Sequence, residues 1–305
     1  MPLLVLAALL SGTIVPLQTA ANARMRFAAN SLAATVLISF TVSLAVLLAT
    51  SLILNVPILP SNSQLEAVPW WTWLGGICAL FTISASTFLF KMLGQLQTTI
   101  LPLLGQLLFS LIIDHFGLFG SVQIPLTGTR LAAMALILAG VALAVVFPNL
   151  KQYHTDSAGK LLWQITGTAA GCLMASIGAV YGRLGILLGS AVQASTLSFL
   201  LAVLAITIFC TAMGSVKNIA AVLNAKLPWW GWLGGICGAV SVFANAMLIP
   251  TLGAGTFFTA MLLGQMLLSL VMEARGWLGA PKKIIAPVQY AGITLMIAGV
   301  VLIRL

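Results

Sequence analysis

Little in this chain could carry covalent or acid–base chemistry. Its carboxylates are Glu66, Asp114, Asp156 and Glu273, and its histidines are His115 and His154. General acid–base catalysis needs such groups to converge, yet none of the six lies near the middle of an apolar segment. The sequence holds no HExxH, no G-x-S-x-G and no P-loop. Cys78, Cys172, Cys210 and Cys237 sit inside apolar runs with no CxxC or Cys/His metal spacing, so they read as small buried hydrophobes. A non-enzymatic protein without metal or cofactor is expected.

The remaining chemistry is hydrogen bonding by neutral polar groups embedded in apolar sequence. Gln106 and Gln265 stand out, each roughly 10 residues, or about 15 Å of helix, from either end of its segment. Polar groups at membrane depth are costly unless satisfied, which makes these two candidate substrate-binding residues. A packing role across helices, contributing only about 0.6 kcal/mol, is the competing reading. Gln18, Asn22 and Asn245 are further candidates, as are Ser84 and Ser86, although serines in helices commonly bond back to the preceding turn.

These residues must be positioned by membrane helices. With 61% hydrophobic residues, 6% charged residues and a mean hydropathy of +1.15, the composition excludes a water-soluble globule. In the first half, apolar segments of spanning length run over about 3–22, 30–54, 70–90, 96–114 and 130–147. The second half has them at about 161–182, 190–213, 229–250, 254–272 and 287–303. They are continuously apolar, unlike the alternating strands of a membrane barrel. The expected fold is therefore all-α, with ten transmembrane helices in two five-helix units, 1–147 and 161–305, joined by a polar linker at 148–160.

The two units are copies. "PWWTWLGGIC" (Pro69 to Cys78) returns as "PWWGWLGGIC" (Pro228 to Cys237). Gln106 and Gln265 share the same offset of 159 residues, as do Gly12 and Gly171, Arg24 and Arg183, and Phe40 and Phe199. The first segment has a counterpart in the sixth, so it reads as a structural helix and not as a targeting peptide. Five spans per copy is an odd number, so the second copy enters the membrane from the opposite side. Inverted repeats around a midplane site are the architecture of secondary transporters.

Basic residues gather on one face, which collects Arg24, Arg26, Lys91, Lys151, Lys160, Lys217, Lys226, Arg275, Lys282 and Lys283. The other face has only Arg130, Arg183 and Arg304. The positive-inside bias places the first face in the cytoplasm and both termini outside. The net charge of +9 thus follows from topology, and the lipid bilayer, not nucleic acid, is the expected partner. The sequence leaves a homodimer open. The six tryptophans of the repeated phrases read as an interfacial belt in preference to a cage for a quaternary ammonium ligand.

The phrases "NARMR", "PWWTWLGGIC", "LLGQLLFSLIIDHFGLFG" and "AGVAL" resemble the drug/metabolite transporter superfamily, in its bacterial inner-membrane branch of five-helix proteins, here fused in tandem. The resemblance implies a ten-helix inverted-repeat exporter and leaves the substrate open. Small multidrug exporters of that superfamily carry a glutamate within the first helix, whereas this chain offers Gln18 and Asn22 there and Tyr181 at the position equivalent to Asn22. A neutral, zwitterionic or amphipathic metabolite or drug is therefore the expected small-molecule substrate, moved by alternating access. A non-transporting membrane helper on the same fold is the alternative. The repeat also relates Asp114 to Glu273, so two cross-repeat gating pairs are expected, Arg24 with Glu273 and Arg183 with Asp114, one at each mouth. Simple snorkelling of each charge is the competing reading.

Overall fold

The computed structural model describes the backbone of residues 2–148, 161–225, 227–280, 282 and 285–303, and their side chains except at 80 and 82–99. Most of the expected linker, and Ser84 and Ser86 as side chains, lie outside the described residues.

The chain folds into α1 (Pro2–Ala29), α2 (Leu32–Ile53), α3 (Asn62–Ala67), α4 (Gly75–Phe116), α5 (Gly128–Val141), α6 (Leu161–Leu188), α7 (Ala191–Ala212), α8 (Lys217–Asn224), α9 (Leu233–Leu252), α10 (Ala254–Arg275) and α11 (Pro287–Leu302). No strand occurs among the described residues. Seven helical segments there are long and apolar enough to cross a membrane, joined by the shorter apolar stretches Ile100–Phe116 and Pro287–Leu302. Both tryptophan phrases form tight 3-10 turns, Trp70–Leu74 and Trp229–Trp232, just ahead of α4 and α9.

Local signals recur in both copies. Ser31 caps α2 by accepting from the Ala34 amide, and Ser190 caps α7 by accepting from the Gln193 amide. At the far ends of α4 and α10, Gly117 and Gly276 take left-handed conformations with φ of 62° and 67°, which stop the helices without a Cβ penalty.

The spans expected at 70–90 and 96–114 both fall within the 42-residue helical stretch α4. In the second copy the equivalent segment breaks at Gly253, whose φ of 79° separates α9 from α10. Trp71, just ahead of α4, meets Phe119, just behind it, with ring centroids 6.0 Å apart, so α4 turns back on itself and its two halves cross as separate spans. Asp114 holds the second-copy break, as described below. Its second-copy counterpart Glu273 is followed by Gln289 where Asp114 has Arg130, so the charge arrangement that fixes the second break is not repeated.

Packing between the copies follows a twofold relation that reaches individual atoms. A methyl group on Gly12 would overlap the Met261 carbonyl, and one on Gly171 would overlap the Pro102 carbonyl. Likewise Gly264 abuts the Leu9 carbonyl and Gly105 the Thr168 carbonyl. Each contact maps onto its partner by the same 159-residue offset, so α1 lies on α10 as α6 lies on α4. A third pair closes the periphery, with Gly140 against Gly292 and Met296, and Gly299 against Ala133 and Ile137, joining α5 to α11. In lipid no hydrophobic force draws helices together, and such small-residue contacts supply close packing instead. The two tryptophan phrases occupy opposite ends of the molecule: Trp71 meets Phe119 with ring centroids 6.0 Å apart, while Trp232 packs with Met25 and Ala29. The repeats are inverted.

Because Gly105 and Gly264 make equivalent contacts, Gly105→Val and Gly264→Val should destabilise the protein alike, each by about 1–3 kcal/mol of overpacking. Thermal unfolding in detergent is the check. Wild-type melting for either variant would contradict the symmetric close approach.

Candidate transport cavity

A cavity of about 380 Å³ lies on the twofold, between the repeats. It forms where α1 and α10 on one side and α4 and α6 on the other diverge from their glycine contacts, with α2, α7 and α9 completing the wall. Its lining brings together Gln18, Gln106, Gln265 and Asn245. Those four sequence candidates therefore meet in one space. Among the described residues no protein group hydrogen-bonds the amides of Gln18, Gln106 or Gln265. Asn245 donates to the Ser241 carbonyl at 2.7 Å, and the buried Ser241 Oγ on the same wall has no partner.

Aromatic rings supply much of the remaining surface. Phe40 and Phe199, equivalent by the repeat, meet edge to face with centroids 5.3 Å apart, and Phe258 and Tyr181 also line the space. Among the described residues no Asp, Glu, Lys, Arg or His lines it. Beside the main chamber, Gln106 and Gln265 share a crevice of about 10 Å³ with Phe258 and Leu103.

The fifth candidate falls elsewhere. Asn22 packs against Gly234 with its Oδ1 buried and unpartnered, and it does not line the cavity. Its repeat equivalent Tyr181 packs against Gly75, the counterpart of Gly234, but does reach the cavity. The longer side chain extends where the shorter one cannot. None of the six tryptophans lines the cavity. Trp70 and Trp229 are instead 75% and 77% exposed, as interfacial residues are.

The expected ion pairs are corrected. Asp114 does not pair with Arg183. It is fully buried and accepts from Arg130 Nη2 at 2.8 Å, from the Ala254 amide at 2.7 Å and from the Gly255 amide at 3.0 Å. Arg130 Nη1 donates to the Ile124 carbonyl at 3.1 Å. A single carboxylate thus fastens the end of α4 and the start of α5 to the N-terminus of α10 in the opposite repeat, satisfying amides that the break at Gly253 leaves open. Arg183 lies beside Gly120 in the neighbouring loop. At the other end Arg24 is exposed over the Phe27 ring, 5.9 Å from its centroid, and no ion pair joins it to the half-buried Glu273.

Sequence reasoning missed Arg130. Its signal was a charged residue opening an apolar segment shortly after Asp114, with the polar Gln289 at the equivalent place. Gln289 spends its amide differently, accepting from the Ala286 amide and donating to the Ala144 carbonyl. His115 serves the adjacent loop, its Nδ1 accepting from the Leu126 amide at 3.2 Å.

Comparison with known proteins follows the same division. The family model described as "Putative inner membrane exporter, YdcZ" matches the chain twice, over residues 3–143 and 162–302. The chain belongs to this family. It is accordingly a multi-pass protein of the inner membrane, and its general role is that of a transporter of the exporter type. A solved crystal structure shares the fold at a TM-score of 0.66 and 19% identity, covering 99% of this chain and 96% of that one. Among curated proteins none matches.

Because Asp114 is fully buried and Arg130 is its only charged partner among the described residues, Arg130→Met should lower stability by about 3–5 kcal/mol, the effect of leaving a buried charge unpaired. Arg183→Met should shift it by less than about 1 kcal/mol, as at a site outside that network. Thermal melts of the two variants decide between the pairings, and an inverted ranking would restore Arg183 as the partner.

Proposed function

We propose that this exporter moves a small, non-cationic metabolite or drug by alternating access, with the cavity between the repeats as its binding chamber. The observation that carries this reading is the convergence of Gln18, Gln106 and Gln265 on one chamber astride the twofold, with amides that no group among the described residues uses. Amides that merely glued helices together would find protein partners. Free amides at membrane depth have their alternative in solute or water.

Rocking of one repeat against the other would expose the chamber to each side in turn. The two mouths are unequal. Asp114 and Arg130 fasten the mouth beside the α9–α10 break, whereas Arg24 and Glu273 border the opposite mouth without an ion pair between them. Opening the first mouth requires separating or carrying along a buried charge pair, so the second opens more readily.

Vesicles loaded with a panel of small metabolites provide the test. Gln106→Leu and Gln265→Leu should each cut the transport rate by about tenfold, the loss expected for a solute hydrogen bond of about 1.4 kcal/mol, with protein abundance unchanged. Undiminished transport in both variants and in their combination would reject the chamber.

A further inference from the structure

We infer that the solute is uncharged and carries one small hydrogen-bonding head on an apolar, ring-sized body, with its head seated between Gln106 and Gln265. The inference rests on the transport reading of the same chamber and deepens it to a substrate class.

The head group follows from the crevice. Gln106 and Gln265 come from opposite repeats yet border one space of about 10 Å³, close to the room that a single water needs. Each glutamine amide can both donate and accept, and neither has a partner among the described residues. A carbonyl or hydroxyl oxygen, or one edge of a primary amide, fits between two such groups. A larger head would not enter.

The body follows from the chamber. Its volume of about 380 Å³ is near the lower end for small-molecule sites, which run from roughly 300 to 1,000 Å³. Phe40, Phe199 and Phe258 present ring faces and edges there, which suit an aromatic or compact aliphatic group.

Absence of charge follows from what the wall offers. Among the described residues no ionisable side chain other than the phenol of Tyr181 lines the chamber, so a cation would meet no carboxylate there and an anion no guanidinium or ammonium. Transporters also bind anionic groups at the N-termini of interrupted helices. Here the interruption at Gly253 opens the N-terminus of α10, and its Ala254 and Gly255 amides are already taken by Asp114. A zwitterion would lack partners for both of its charges.

A set of four molecules built on one benzyl group isolates the claim: phenylacetamide, phenylacetate, phenethylammonium and zwitterionic phenylalanine. Calorimetric binding to the full chain in lipid nanodiscs should favour phenylacetamide by about tenfold or more over each charged member. Gln106→Met and Gln265→Met preserve side-chain length and should each weaken phenylacetamide binding about three- to tenfold. The wild-type ranking alone decides the charge question, so the inference remains testable should either variant fold poorly. Equal or tighter binding of a charged member overturns the substrate class, as does binding of none of the four. If a charged solute is instead transported in a Gln106-dependent manner, the chamber reading survives while this inference falls.

Discussion

Four backbone contacts set the frame on which everything else hangs. Gly12 and Gly264 bring α1 and α10 together until backbone meets backbone, and Gly171 and Gly105 do the same for α6 and α4. No larger residue fits at those points, so the crossing of each helix pair is fixed there. Away from the contacts the pairs diverge, and the space they leave is the chamber. The site is therefore a consequence of two tight crossings, one in each half of an inverted duplication.

Polar groups divide sharply around that frame. Asp114 is satisfied by a guanidinium and two amides, a local arrangement that offsets the desolvation of a fully buried carboxylate. The glutamines in the chamber find no partner among the described residues. A membrane protein keeps few such groups, and their sorting into one rigid cluster and one open cluster separates structure from function. The duplication also broke its own symmetry here. Arg130 and Gln289 occupy equivalent positions, yet one completes an ion pair while the other closes a helix cap and bonds the Ala144 carbonyl just past α5.

Much of this was legible in the sequence because duplication and hydropathy act over long windows. The ten apolar segments, the inverted repeat and the pairing of Gln106 with Gln265 all followed from period and offset. What failed was local. The Arg183–Asp114 pair was inferred from helix ends sharing a face, but a face holds several charges, and Arg130 reaches Asp114 from the next helix. Asn22 was read as facing inward because it is polar, whereas its short side chain is caught against Gly234. Phe40 and Phe199 were visible as aligned residues, but nothing in a sequence tells a lipid-facing phenylalanine from one on a cavity wall.

The central claim is that one chamber on the twofold faces each side of the membrane in turn. The direct measurement places a cysteine at Ser198, a small cavity-lining residue, in a chain whose four native cysteines are replaced, and labels it with a membrane-impermeant thiol reagent from either side. Labelling should occur from both sides, and a saturating transported solute should slow it from both. Labelling confined to a single side under every condition would contradict alternating access.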